Sequence, residues 1–580
     1  MKNVSRGIEL EVLNPGLGLN NLISDALIKD TEASDLLNIE FVESGCPAKR
    51  RGCTQVGDTV GSNVKGLGAY YKADGTKELL ARMGTGLRKF NGSVWTAITG
   101  VTFTDIDTNF VQARDSVYLH NGTDQMTVYA GSTCSQPTTG VVGKFGIFYA
   151  GVHVVSGNTN FPSRVYLSNP ANASDFTGSS GTASAGGSST LTDSTKAWGV
   201  NDFASQTIKI TAGTGAGQTR TIASNTATVI TTATAWTTQP DNTSVYTIAS
   251  GNYIDISKDD GDKIMGLGKW GEYLIVFKER STYQLSFDTS GIPIVKNLGL
   301  GVGCVSHRSV ETVDNDLYFL SRNGVRVLGN EPNYYNVIRT NELSARVFTE
   351  IDTLADAYAS KASAIFFDYK YFLSIPQGGT TTNNVILVYD KRYTSWSKWT
   401  GISANCFTTF IDSSNVESLY CASDTTGKVA KLLTNYSDMG TAINSYWVSK
   451  NFDFKNFDRN KRFTDATFAF RKIAGSVKVD FIVDGETTVK TISLGSSSAS
   501  GGIGTDLIGY TLLGQDGGST TSTGFTGQSE QFRVRLNNKK GFQLKIKVSN
   551  AVNNETFTLL GFKLFGKVQS HYSYPSSKRY

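Results

Sequence analysis

Tyr253–Phe287, reading YIDISKDDGDKIMGLGKWGEYLIVFKERSTYQLSF, is the stretch whose reading decides the fold. Within it Tyr273-Leu274-Ile275-Val276-Phe277 is a continuous apolar run, the pattern of a strand buried on both faces. Lys278-Glu279-Arg280-Ser281 is polar and reads as a turn, after which Thr282-Tyr283-Gln284-Leu285-Ser286-Phe287 alternates as a half-buried strand does. The stretch is therefore a hairpin.

The same hairpin recurs on either side of it. Leu79–Asn91, Ser116–Tyr129 and Asp316–Leu328 each run from an apolar strand through a Gly- or Asn-containing turn into a second strand. Further copies are Gly146–Leu167, Tyr369–Trp399 and Ser418–Leu433. Units of unequal length, recurring every ~30 to 50 residues, belong to the regime of β-propeller blades. The sequence thus predicts an all-β fold: a β-propeller of six or seven blades between about Asn63 and Asn435. One helical pattern interrupts it, with Thr340 as N-cap and Leu343, Val347, Ile351 and Leu354 at helical spacing.

Two regions depart from the rhythm. Residues 178–250 are rich in Thr, Ser and Ala and almost uncharged, yet alternate as strands at Thr207–Ile210 and Ala227–Ile230. They read as a small β-domain inserted in a propeller loop, where insertions are tolerated. After about Asn444 the strands lengthen, as in Ser476–Val483, Gln531–Leu536, Phe542–Val548 and Phe557–Phe565, and suggest a C-terminal β-sandwich. A Gly/Ser/Thr-rich stretch, Ser496–Gly527, divides those strands, and His571–Tyr580 reads as an exposed tail. The expected division is 1–60, a lead-in closing onto the propeller; 61–177 and 251–444, the propeller; 178–250, the insert; and 445–580, the sandwich. In the lead-in, Asp30–Leu37 could form a helical turn, Asn38–Val42 a strand, and Lys49-Arg50-Arg51-Gly52 a basic corner of the kind usually found as an exposed turn.

Composition narrows the class. The chain has 580 residues, 60 of them Gly, with 11% aromatic and 18% charged residues, which favours short strands and tight turns over long helices. No run approaches the ~20 apolar residues of a membrane span. The start, MKNVSRGIELEV, lacks the apolar segment of a secretory signal, so synthesis in a cytoplasm is expected. Six Cys at 46, 53, 134, 304, 406 and 421 have no paired spacing, which favours buried thiols over a structural zinc site. The net charge is +5, but Ser445–Tyr580 holds 19 Lys and Arg against 10 Asp and Glu, so the rest of the chain is acidic. Such asymmetry marks either a phosphate-facing surface or a solvated sheet face with Lys on alternate positions.

Catalytic and cofactor motifs are absent from the pattern. Gly213-Thr-Gly215-Ala-Gly217 and Gly299-Leu-Gly301-Val-Gly303 lack the following Lys-Ser/Thr and helix of a phosphate loop and read as turn glycines. Asp255–Asp262 has acidic spacing that invites calcium, without the Gly and distal Glu of an EF-hand loop. There is no Gly-x-Ser-x-Gly elbow, and no carboxylate pair stands out for glycoside cleavage. The expectation is a protein that is not an enzyme, with no catalytic residues, cofactor or metal.

Three stretches carry a family resemblance. ASDLLNIEFVESGCPAKRRG (Ala33–Gly52) resembles the entry segment of tailed-phage propeller proteins. RVYLSNPANASDF (Arg164–Phe176), then YIDIS (Tyr253–Ser257) and EYLIVFKERSTYQLSF (Glu272–Phe287), is similar in order to the tail nozzle, or tubular tail, proteins of short-tailed phages and to related stabilisation proteins. RVRLNNKKGFQLKIKVSNAVNNETFTLLGFKLFGK (Arg533–Lys567) resembles their closing β-domain. The resemblance covers most of the chain outside 178–250. It implies a virion tail protein, at a nozzle or a neck or tail ring, assembling as a sixfold homo-oligomer around the genome channel beside other tail or connector proteins. Contact with DNA would be transient and non-specific, and Arg533, Arg535, Lys539, Lys540, Lys545 and Lys547 are the candidate DNA-facing or interface residues. An alternative is a host-glycan-binding adhesin in which Trp198, Trp236 and Tyr246 of the insert offer stacking faces, although core packing would use them equally well. A polysaccharide-degrading propeller is a third reading.

Overall fold

The computed structural model describes residues 7–61, 63–176, 180–248, 252–287, 293–331, 334–423, 426–471, 475–494 and 529–569. The Ser496–Gly527 divider and the His571–Tyr580 tail lie outside the described residues. Six antiparallel four-stranded blades succeed one another over 64–98, 109–135, 145–255, 264–297, 311–342 and 363–399, and a seventh, over 406–432, is part of a six-stranded sheet. Their first strands neighbour one another in sequence order, and the first strand of blade 7, Cys406–Ile411, lies against that of blade 1, Val64–Tyr71, so the ring closes. The fold is a seven-bladed β-propeller. Blade 7 has only three strands of its own at 406–432; Cys53–Val56, from near the chain's start, pairs antiparallel with Val429–Leu432 as the fourth. Ring closure thus joins residues far apart in sequence by backbone hydrogen bonds.

The apolar hairpins are the second and third strands of the blades. In blade 4 these are Tyr273–Lys278 and Thr282–Phe287; in blade 5, Asp316–Ser321 and Gly324–Glu331. Middle strands are covered by the next blade on each side, so Leu274–Lys278, Leu317–Ser321 and Lys370–Ile375 are buried at every position. First strands face the axis, where blades crowd, and small residues serve there. A Cβ on Gly66 or Gly68 would stand 2.4 Å from the Thr108 oxygen or the Phe110 ring of blade 2.

The segment 7–56 is shared among three sheets. Gly7–Leu13 pairs with Leu559–Val568 at the edge of one sandwich sheet, Asp35–Leu37 pairs with Ser445–Val448 at the edge of the other, and Cys53–Val56 closes the propeller. The predicted helical turn at Asp30–Leu37 is instead a turn followed by that second strand, because Leu36 is fully buried against the sandwich core. The basic corner also differs from expectation: Lys49 and Arg50 are 0% exposed. The Lys49 ammonium donates to Asn550 Oδ1 (2.8 Å) and the Val552 carbonyl (2.7 Å) of the sandwich, while Arg50 faces blade 7. Burying two cations is tolerable only where donors are matched by acceptors, and here each head is so matched.

The sandwich core of Trp447, Phe452, Phe468, Phe470, Phe481 and Phe562 is continuous with blades 5 and 6 through Tyr318, Tyr371, Tyr389 and Trp396. Propeller and sandwich therefore share one apolar core. Thr340 is not a helix cap; it lies in Tyr334–Glu342, the fourth strand of blade 5, and the helix shortens to Phe348–Asp352 between two 3-10 turns. Its apolar positions Val347 and Ile351 still pack into the shared core.

The insert is a seven-stranded sheet set over 180–248, with a core of its own built from Leu191, Phe203, Ile208, Ile210, Ile222, Ile230, Trp236, Tyr246 and Ile248. Entry and exit strands, Ser180–Thr182 and Val245–Ile248, pair with each other, and below them Leu167 pairs with Asn252 in blade 3. Replacing 177–251 by a short Gly-Ser linker is therefore expected to change the stability of the remaining chain by no more than the ~0.5 kcal/mol typical of surface changes. Calorimetry of the two proteins checks this; a lost propeller transition would show that the insert supports blade 3.

Candidate functional site

A cavity of about 630 Å³ opens at the end of the propeller axis where the first strands begin. Its wall takes residues from successive blades: Lys65, then Asp105–Asp107 and Asn109, Lys144, Lys263, Val305–Arg308, and Ser360 with Lys361. Each cation sits within or just ahead of a first strand, so a repeated position in the blade brings five positive groups to one mouth.

Arg308 forms the floor. From the 3-10 turn ahead of blade 5 its guanidinium donates to the carbonyls of Lys65 (3.0 Å) and Thr108 (2.9 Å) and, through Nε, to Asn109 Oδ1 (2.9 Å). Those acceptors belong to blades 1 and 2, three places away around a ring of seven, so the side chain crosses the axis. Asp107 lies 3.9 Å from Arg308 and accepts from Asn405 Nδ2 at 3.1 Å. Burial alone would push its carboxyl up, but Arg308, the Asn405 hydrogen bond, Lys65 and Lys361 together hold it below the ordinary carboxylate range. Lys144 reaches solvent at the mouth, yet desolvation by the wall around it, then Arg308 and Lys263, depress its ammonium against the opposing pull of Asp107. His307, stacked on Phe145 with ring centroids 4.7 Å apart, is pushed down to about 3 by burial and by Arg308 and Lys144. Deeper on the axial strand of blade 5, burial pushes the Glu311 carboxyl up to about 8.

This site was not read from the sequence. The signal that finds it is Gly-Leu-Gly at 66–68 and again at 266–268, marking two first strands, each with a Lys within three residues ahead.

The residues picked out from sequence lie elsewhere. Trp236 (6% exposed) and Tyr246 (0%) are core residues of the insert, and Trp198 packs edge-on to Phe203 and Tyr246. The Tyr246 hydroxyl donates to Asp193 Oδ2 at 2.7 Å, and Arg220 covers the Trp236 ring. Trp236 and Tyr246 therefore present no stacking platform for a glycan. Arg533, Arg535, Lys539 and Lys540 share the edge strand Ser529–Gly541, while Lys545 and Lys547 belong to Leu544–Asn550 in the other sheet, so the six do not form one patch. Arg533 pairs with Asp465, Lys539 with Glu486 and Lys545 with Asp25, and Lys547 rests over Tyr446; Arg535 and Lys540 are exposed.

In the acidic run that invited calcium, the carboxylates hold protein groups. Asp255 pairs with Arg164 (2.8 Å) and Asp260 takes both oxygens to the buried Lys278 ammonium (2.7 Å). Asp262 accepts from the Glu279 amide and the Ser281 hydroxyl, each at 2.9 Å. The run is a clamp between blades 3 and 4.

The fold and this closed axial site define a β-propeller joined to a sandwich. No protein-family model matches the chain, and no curated protein does. Among solved structures it is similar to YCF48 bound to D1 peptide, at 8% identity over 67% of this chain and 96% of that one, with a TM-score of 0.34. It is likewise similar to BBS1N in complex with ARL6DN (9% identity, 67% and 99%, TM-score 0.34). A third is BamB from Moraxella catarrhalis (10% identity, 66% and 100%, TM-score 0.32). Likeness at these scores says nothing of function, and the propeller assignment rests on the closed ring of first strands.

Proposed function

We propose that this chain is a structural subunit of a bacteriophage tail, at a nozzle or a neck or tail ring, assembling with copies of itself and with other tail or connector proteins around the genome channel. The observation that carries the reading is the way Gly7–Val56 pairs with both sandwich sheets and closes the propeller, so that the entry segment that resembles phage proteins ties both domains together by backbone hydrogen bonds. A subunit under the load of packed DNA needs such ties. Arg308 across the axis supports a second element of the reading: DNA has no path through a single propeller, so the conduit lies between subunits, and a closed ring supplies it. Arg535 and Lys540, exposed on an edge strand, would face either the lumen or solvent, where edge charges deter unwanted strand pairing.

Native mass spectrometry of the purified protein, with electron microscopy of virions carrying a labelled copy, tests the proposal. A sixfold ring at the tail is the expected result. A protein that stays monomeric at high concentration and is missing from virions would refute it.

A further inference from the structure

We infer that the axial cavity is a binding site for a compact phosphate-bearing anion. Five cations line it, Lys65, Lys144, Lys263, Arg308 and Lys361, against two carboxylates, Asp105 and Asp107. The wall therefore carries an excess of three positive charges. The groups lie within reach of one another's fields, for Arg308 and Lys263 act on Lys144, and Arg308 and Lys144 act on His307. Concentrating like charges at the convergence of several blades is unfavourable in the empty protein, and an anion in the middle reverses the sign of that interaction.

The site is built rather than incidental. Arg308 spends its donors on carbonyls and on Asn109, so it is a fixed charge at the floor. The stem of Lys144 is held between two turns. A Cβ on Gly122 would lie 3.2 Å from Lys144 Cβ, and one on Gly157 would lie 2.8 Å from it, so only glycine lets both turns close on the stem. Both glycines also have the left-handed backbone that side chains disfavour, with φ of 84° and 81°. The ammonium groups of Lys144 and Lys263 make no hydrogen bond or ion pair among the described residues, and both residues are exposed at the mouth.

Size and donor type select the ligand. The cavity falls within the ~300–1,000 Å³ of small-molecule sites and does not admit a nucleic acid duplex. Lysine ammoniums are point charges with rotatable donors, suited to the tetrahedral oxygens of phosphate, and the one guanidinium, whose fork would grip carboxylate or phosphate alike, is already occupied and acts as fixed charge. The site is independent of the tail assignment.

The test is isothermal titration of the full chain with inorganic tripolyphosphate at low salt, with ATP and a short single-stranded oligonucleotide as parallel arms. One tripolyphosphate per chain is expected, and the exposed pair Lys144→Gln/Lys263→Gln should weaken it by about ten-fold or more, the loss of one to two charge-assisted contacts. Tighter binding of ATP, lost in the same variant, also supports the site and assigns the phosphate to a nucleotide. Absence of tripolyphosphate and ATP binding overturns the inference, as does binding unchanged in the double variant or in Lys263→Gln alone should the pair fail to fold. Oligonucleotide binding at these lysines without tripolyphosphate binding overturns it as well.

Discussion

Replacing Arg50 with methionine is expected to destabilise the protein by about 3–5 kcal/mol, the cost of breaking a buried ion pair from one side. Arg50 donates to both oxygens of Asp438 (2.9 and 2.6 Å), to Asn38 Oδ1 (2.9 Å) and to the Thr400 carbonyl (2.9 Å), with its guanidinium carbon 5.2 Å from the centre of the Trp399 ring. Methionine matches the length and the apolar stem but removes the guanidinium from the Asp438 carboxylate and the Thr400 carbonyl, while Asn38 Oδ1 keeps the Thr400 amide as its donor (2.9 Å). The damage should be local first. Asp438 bridges to Cys53, and Cys53–Val56 is the strand that closes blade 7, so the ring opens where the pair is lost. Hydrogen exchange should show the amides of Cys53–Val56 losing protection before those of blades 3 and 4. Adding Asp438→Asn to the variant should recover part of the loss, because it removes the stranded charge. A destabilisation under ~1 kcal/mol, with unchanged protection of this strand, would mean that closure rests on the backbone ladder alone.

That strand shows where sequence reading stops. The middle hairpins of the blades were legible because neighbouring blades cover both their faces, which demands continuous apolar runs such as Leu274–Phe277 and Leu317–Leu320. First strands were harder to see: they trade apolar bulk for close approach, as at Gly66, Gly68, Gly266 and Gly268, and resemble turns. Residues 7–56 read as a lead-in because each of their strands is short and borrows its partners from remote segments, Leu559–Val568, Ser445–Val448 and Val429–Leu432. Lys49 and Arg50 looked exposed because charge usually is; acceptors 388 to 503 residues distant, Asp438, Asn550 and Val552, permit their burial. Thr340 failed as a cap for the opposite reason, a local signal overridden by pairing with Leu328 in blade 5. The axial lysines escaped notice because a repeated position in a ring has meaning only once the blade count and register are known.

Acidification should destabilise the propeller between pH 6.5 and about 4, and the cause lies in the buried His120 and His153 and the half-buried His307. His153 Nδ1 is 3.1 Å from the Ala173 carbonyl, which can only accept, so Nδ1 carries the proton and Nε2 is an acceptor. His120 Nε2 lies 3.1 Å from that atom and must donate to it, which leaves His120 Nδ1 bare, and it is buried with no partner. Both rings are therefore neutral, and a second proton on His153 would set two N–H groups against each other. Burial pushes His153 down to about 4 and His307 to about 3, and burial with His153 and His307 pushes His120 well below the ordinary 6.5. A histidine depressed in this way binds its proton sooner in the unfolded chain. Its stabilising contribution is intact above pH 6.5 and falls as the pH drops toward the folded value. Each proton is worth about 1.4 kcal/mol per pH unit, so between pH 6.5 and 4.5 His153 and His307 each remove up to about 2.7 kcal/mol, and His120 adds a loss of the same sign. Glu311 opposes them: raised by burial to about 8, it regains a similar amount over the same window. A net loss remains, from one histidine and the further contribution of His120. Aspartates held below their ordinary range, such as Asp107 and Asp255, do not contribute until the pH falls beneath the carboxylate range. Urea unfolding at half-unit pH steps should therefore give a stability that falls by at least one proton's slope as the pH drops, and His153→Gln should lower that slope by about one proton. An identical slope in that variant would assign the acid lability elsewhere. Because His153 also packs against Phe176, at the last described residue before the insert, early exposure should appear at the root of the inserted domain.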